Sequence, residues 1–203
     1  MKLHLGCGGT YLDGYVNIDY PTTEQTIMNV RADIYQDITT LSYEEGSIDE
    51  IRTHHMFEHF NRSDALFLLA RWRRWLKPEG QLVIETPDYF WCSVFYIFAP
   101  FKFRMRLGRH VMGSQEADWA DHLDFWDKKK FKKVLKTFGF TSIKFSHPIY
   151  RNFLPNVTVR CQKSVRSIDD QAVLAEILSW YIVPGEDPEV LMKNWFANTK
   201  LPT

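Results

Sequence analysis

The chain has little cysteine, no net charge and no apolar run long enough to cross a bilayer. Its three cysteines, Cys7, Cys92 and Cys161, stand far apart with no C-x-x-C pair. Neither a disulfide framework nor a cysteine zinc site follows from that spacing, and a reducing cytoplasm is the expected compartment. Lys+Arg and Asp+Glu both number 25, so no electrostatic footprint calls for a nucleic-acid partner. The longest apolar stretch, Phe90 to Phe101, falls short of the roughly 20 residues that span a membrane, and it contains Pro100. A strand signal within residues 1–9 leaves no room for a signal peptide. The glycosylation patterns at Asn61-Arg62-Ser63 and Asn156-Val157-Thr158 therefore carry no meaning. There is no internal repeat and no low-complexity segment.

What is present is an alternation of short strands and helices. Leu3-His4-Leu5 reads as a first strand, Tyr15 to Ile18 ending at Asp19 as a second, Ala32-Asp33-Ile34 as a weak third and Ser47 to Arg52 as a fourth. Arg62 to Leu76 has Leu66, Leu69, Ala70 and Trp72 at helical spacing and stops before Pro78 and Gly80. Gln81 to Glu85 is nearly continuous in apolar residues, as in a strand covered on both faces. Lys128 to Phe138 is a helix closed by Gly139. Phe140 to Phe145 and Asn156 to Cys161 are the last strands. This order predicts an α/β fold: a Rossmann-like, mostly parallel sheet with helices on both faces. Residues 1–163 are expected to form the main domain. Residues 164–203 are expected to form a helical extension, in which Ser167 with Asp170 resembles a capping box and Asp187-Pro188 is a helix start.

The glycine turn Gly6-Cys7-Gly8-Gly9 follows the first strand directly. Glycines there bend the backbone and let a ligand approach without a Cβ in the way. Open α/β sheets bind ligands at the carboxyl ends of their strands, and an acid ending the second strand, here Asp19, can accept hydrogen bonds from both ribose hydroxyls. A dinucleotide would need G-x-G-x-x-G opening a full helix that holds the pyrophosphate. Here the second strand begins almost at once after Gly14, so the first helix is expected to be shortened. That weighs against NAD and suits S-adenosylmethionine, which has no phosphates. The plainer alternatives are that the glycines make a tight turn only, and that Asp19 and Asp37 are turn or cap residues.

These residues, in order, carry a resemblance. Leu3 to Gly9, Val16-Asn17-Ile18-Asp19, Gln36-Asp37-Ile38, Gly46 to Ile51, Phe57-Glu58-His59 and Trp75 to Ile84 together resemble the class I S-adenosylmethionine-dependent methyltransferases, especially small ones predicted near polysaccharide genes. The resemblance implies a methyltransferase with S-adenosylmethionine as cofactor. Gly6, Cys7 and Gly8 would lie under the methionine moiety and Asp19 would hold the ribose. Asp37 would face the adenine amino group with Ile38 packing nearby, and His54 and His55 would border the transferring methyl. The implied acceptor is a small molecule, with a sugar hydroxyl, free or lipid-linked, as the leading class. A methyltransferase fold that binds without catalysing is the first alternative.

A second alternative is a zinc hydrolase, because His55-Met56-Phe57-Glu58-His59 matches the H-x-x-E-H pattern that places two histidines on one helical face. His55 is expected at a strand exit instead, so no residue is assigned to a metal. The aromatic segment 88–126 falls in a loop at the ligand-binding edge. It is expected to act as a lid that builds the acceptor pocket. Extra core or a homodimer contact comes first among its alternatives and a membrane surface last. A hydroxyl acceptor benefits from a general base, for which His122 is the first candidate and His55 the second.

Overall fold

The computed structural model describes residues 1–20, 29–148 and 152–199. Seven strands form one sheet: β1 (Lys2–Leu5), β2 (Val16–Asp19), β3 (Ile34–Tyr35), β4 (Ile48–His54), β5 (Leu76–Pro87), β6 (Phe140–Ser146) and β7 (Asn156–Lys163). Their order is β3-β2-β1-β4-β5-β7-β6. The first five run parallel, and β7 lies antiparallel to both β5 and β6. The sequence order reverses at β1, which lies between β2 and β4. Ligands of doubly wound sheets settle at such a switch point.

Register sorts the side chains by face, because successive residues of a strand point to opposite sides. Leu3, Ile51, Leu82 and Cys161 stand in one row, and Ile18, Leu5, Thr53, Ile84 and Val159 in the next. All are buried, and all but Thr53 belong to the main core. Helices α1 (Arg62–Trp75), α4 (Lys128–Thr137) and α5 (Asp170–Ser179) cover that face with Leu66, Leu69, Trp72, Phe131, Val134, Ile177 and Leu178. The opposite face carries the row His4, Arg52, Val83 and Arg160, then the row His54, Glu85 and Thr158. The β5 run therefore alternates, with Val83 seated between two arginines on the polar side.

The Rossmann-like, mostly parallel architecture expected from the sequence is present. The first crossover is short as expected, but the shortened helix expected there is missing: no helix lies between Leu5 and Val16, because the ten residues between the strands are taken up by turns. Three other local expectations shift. Strand β5 begins at Leu76 rather than Gln81, because Leu76 pairs with Ile48. The ladder then breaks between Ile48 and Glu50, where Glu79 takes φ 63°. The segment after β5 is not a loop: Asp88 caps α2 (Tyr89–Phe98), Pro100 interrupts, and α3 (Phe101–Met112) follows. The cap of α5 is Asp169, which accepts from Gln171 and Ala172 N–H groups, and not Ser167. Helix α6 (Pro188–Ala197) starts at Asp187-Pro188 as expected. Asn61 caps α1, and Asn156 is buried within β7, so both former glycosylation patterns serve the fold.

Candidate functional site

The turns that leave β1, β2 and β4 meet at the switch point. Gly6 and Gly8 take φ 67° and 52°, conformations that suit glycine. Gly6 has a packing reason as well, since a Cβ there would lie 2.5 Å from Met56 Cγ. The Gly8 N–H donates to Asp19 Oδ2 at 2.6 Å, and the Tyr20 N–H donates to Oδ1 at 2.7 Å. Each carboxylate oxygen of Asp19 keeps a lone pair for a further donor, so the group can still receive a vicinal diol. Cys7 is buried with its thiol near the Arg31 carbonyl. Burial, then the charge of Asp19, pushes that thiol up to about 12, so Cys7 brings backbone rather than a nucleophile. Asp37 caps a short 3₁₀ turn, Ile38–Thr40, through the Thr39 N–H and hydroxyl. It follows Gln36, whose N–H donates to the Asp19 carbonyl. Ile38 is buried in the main core.

The turn after β4 holds a polar centre. His55 stands in the left-handed region at φ 49°, and Phe57–His59 form a 3₁₀ turn. The α-helical face that H-x-x-E-H would need for zinc is therefore absent, because the chain is bent at His55. Glu58 is only 2% exposed, and its Oε1 accepts from His55 Nδ1 at 3.2 Å. Burial alone would push Glu58 up; the His55 hydrogen bond and the nearby His59 and His122 hold it below the usual carboxylate range. Burial would likewise lower His55, but the hydrogen bond and charge of Glu58, with Glu85 at 3.7 Å, carry it above the ordinary imidazole value. His54 lies 3.8 Å from the same Glu85 oxygen.

Two distant segments close around Glu58. The N–H groups of Leu123 and Asp124 donate to its backbone carbonyl, and Gly113 pairs with Asp121. His122 Nε2 thereby comes within 3.9 Å of Glu58 Oε1, and its ring meets His59 edge-on at 4.6 Å between centroids. Burial lowers His122 below the ordinary imidazole value. From α3, His110 approaches His55 with 5.6 Å between rings and bonds to Asn156 Oδ1. Glu58, Pro87, Tyr89, His122 and Trp126 are among the residues lining a cavity of about 10 Å³, room for roughly one water.

Residues 10–144, more than half of the chain, match the model of a family described as Methyltransferase domain. The chain belongs to that family. Solved structures show the same fold. A methyltransferase from Archaeoglobus fulgidus is 16% identical with a TM-score of 0.55, covering 80% of this chain and 85% of the other. One from Methanosarcina mazei is 14% identical with a TM-score of 0.53, covering 81% and 92%. One from Thermotoga maritima is 11% identical with a TM-score of 0.52, covering 80% and 82%. No curated protein matches the sequence.

In this methyltransferase, Gly6, Cys7, Gly8, Asp19, His54 and His55 come together at the ends of adjacent strands, while Asp37 and Ile38 follow β3 at the start of the 3₁₀ turn, with Ile38 buried in the core. His122, separated by 63 positions in sequence from His59, joins them. Sequence reasoning passed over His59, His110 and Glu85 as site neighbours. His59 entered only through the Phe57-Glu58-His59 piece of the resemblance and through the H-x-x-E-H pattern, to which no metal was assigned.

Proposed function

We propose that this methyltransferase moves the methyl group of S-adenosylmethionine to a hydroxyl of a small acceptor, a sugar or a lipid-linked sugar. The observation that carries the reading is the contact between the two turns. Met56 fills the space that a Cβ on Gly6 would take, so the glycine turn abuts the segment bearing His55 and Glu58. S-adenosylmethionine supplies an electrophilic methyl on a sulfonium. The chain has to hold the adenosine, align an acceptor oxygen with that methyl, exclude water and take a proton.

Asp19 is suited to the ribose diol, and the bare backbone of Gly6 to Gly8 to the methionine part. His55, paired with Glu58, and His122 flank the acceptor side, and each offers a ring nitrogen for the acceptor proton. The α2–α3 pair reaches this side directly: the Val111 carbonyl accepts from His122 Nδ1 at 3.1 Å, and His110 stands against His55. That wiring supports the insert as the builder of the acceptor pocket. A lipid carrier suits the same insert, because no acidic residue occurs from Tyr89 to Gln115 while four cations do.

Calorimetric titration with S-adenosylmethionine and its demethylated product tests the donor half. Asp19→Ala is expected to weaken both by about 10- to 100-fold, the loss of a charge-assisted hydrogen-bond pair. Unchanged affinity would remove Asp19 from the site. Methyl transfer onto sugar acceptors then tests the acceptor class.

A further inference from the structure

Glu58, His59 and His122 have the makings of a metal centre. Glu58 Oε2 is buried and has no hydrogen-bond partner, although its sister oxygen is bonded to His55. A buried carboxylate oxygen left bare loses the hydrogen bonds it had in water and gains none, so a missing partner is the simplest physical account. His59 Nδ1 lies 3.0 Å from the Asp121 carbonyl and His122 Nδ1 lies 3.1 Å from the Val111 carbonyl. A carbonyl only accepts, so both Nδ1 atoms carry the proton, and in the neutral ring each Nε2 presents a lone pair. That is how metal-binding histidines are usually fixed, with the far nitrogen tied to a backbone oxygen. One ligand atom from each of the three residues lies within 4.8 Å of the others. The adjoining cavity, lined by Glu58 and His122, has room for about one small particle. Asp124 also lines it but is paired with Lys130 at 2.6 Å.

We propose that Glu58, His59 and His122 bind one divalent transition-metal ion beside the acceptor side of the site. Two imidazoles and one carboxylate suit zinc, manganese, iron or cobalt better than magnesium or calcium, which favour all-oxygen sets. His55 is not a ligand; it is bonded to Glu58 and orients it. Three protein ligands leave a position open, as in catalytic rather than structural centres. Its use rests on the methyltransferase reading above: an acceptor hydroxyl bound there would lose its proton more readily. His122 Nε2 would then be occupied, so the ligand role and the general-base role of His122 exclude one another.

The test uses untagged full-length protein, stripped with a chelator and titrated with Zn(II), Co(II), Mn(II) and Mg(II) salts. The expected result is one Zn(II) or Co(II) per chain and visible absorption bands from bound Co(II), with Mg(II) at least about tenfold weaker. His59→Gln, His122→Gln and Glu58→Gln should each weaken Co(II) binding by about tenfold or more while the far-ultraviolet circular dichroism of the folded chain is kept. If a variant unfolds, the Co(II) spectrum of the unmodified protein still decides. The absence of a stoichiometric ion, or binding indifferent to both histidines, overturns the proposal. Because metal binding is read without any acceptor, a failed transfer assay with bound metal would count against the methyltransferase reading alone. Transfer by fully stripped enzyme would count against the metal's role.

Discussion

At the scale of single residues, Gly6 joins the two halves of the site. Alanine there meets a left-handed φ, which costs about 1–2 kcal/mol, and a Cβ 2.5 Å from Met56 Cγ, an overpacking that costs about 1–3 kcal/mol. Gly6→Ala is expected to destabilise by about 3 kcal/mol in urea unfolding. Met56→Gly, which removes both the Cγ at 2.5 Å and the Cβ at 2.6 Å, should relieve the collision but not the backbone strain, so the double variant should be more stable than the sum of the singles by about 1–2 kcal/mol. Strict additivity would mean that Met56 is not what Gly6 makes room for. A second residue gives a pH signature. Burial alone would raise Glu50, but Oε1 accepts from Tyr15 at 2.8 Å and from two nitrogens of Arg52, and these hold it below its ordinary value near 4.5. A carboxyl depressed in the folded state contributes stability that is complete above that ordinary value. The contribution disappears as pH falls through the folded value. The gap in unfolding free energy between the unmodified chain and Glu50→Gln should therefore be widest near pH 6 and narrow below about pH 4.5. A constant gap would place the contribution in packing instead.

At the scale of elements, the cap of α5 separates two readings of one stretch. Asp169 Oδ1 accepts from the N–H groups of Gln171 and Ala172, so Asp169→Ala is expected to cost about 1 kcal/mol and Ser167→Ala close to nothing. Thermal unfolding of the two variants would tell them apart. The sequence alone showed an S-x-x-D pattern, and only the backbone reveals which residue stands just before the first helical turn. Elsewhere local signals sufficed. The β1 and β2 strands, the glycine turn and Asp19 lie within 20 residues, and their spacing already implied a tight crossover with a shortened helix. The α2–α3 pair was less legible, because Tyr89 to Phe101 is apolar without period and such a run does not tell helix from buried strand. The Glu58, His59 and His122 cluster was illegible for a different reason. It depends on backbone bonds from Leu123 and Asp124 to Glu58, and no residue pattern near His59 announces a partner beyond residue 120. The H-x-x-E-H pattern assigned no ligand, and a left-handed His55 is the physical reason, since it breaks the helical phase that the motif assumes.

At the scale of the whole molecule, the α2–α3 pair leaves an unusual surface. Leu107 and Cys92 turn inward to a small core of their own, while Phe98 and Phe101 at the bend are 82% and 73% exposed. Along α3, Phe101, Met105 and Met112 follow helical spacing on one stripe and Lys102, Arg106 and Arg109 on the next. No described helix is long and apolar enough to cross a membrane, but an apolar stripe beside cations suits the surface of one. Self-association through this face is a poorer fit, since a two-fold contact would set the same cations against each other. A lipid-linked acceptor would be met at such a surface. The chain is expected to sediment with vesicles containing anionic lipid and to stay in solution with neutral ones. Phe98→Ser with Phe101→Ser should abolish sedimentation, and Lys102→Glu with Arg106→Glu should reduce it by at least about tenfold, at roughly 1 kcal/mol per cation near the surface. Both pairs lie on exposed positions, so donor affinity should be unchanged in each. Equal sedimentation with neutral and anionic vesicles, or a dimer in solution that the phenylalanine variants dissociate, would assign the surface to protein contact instead.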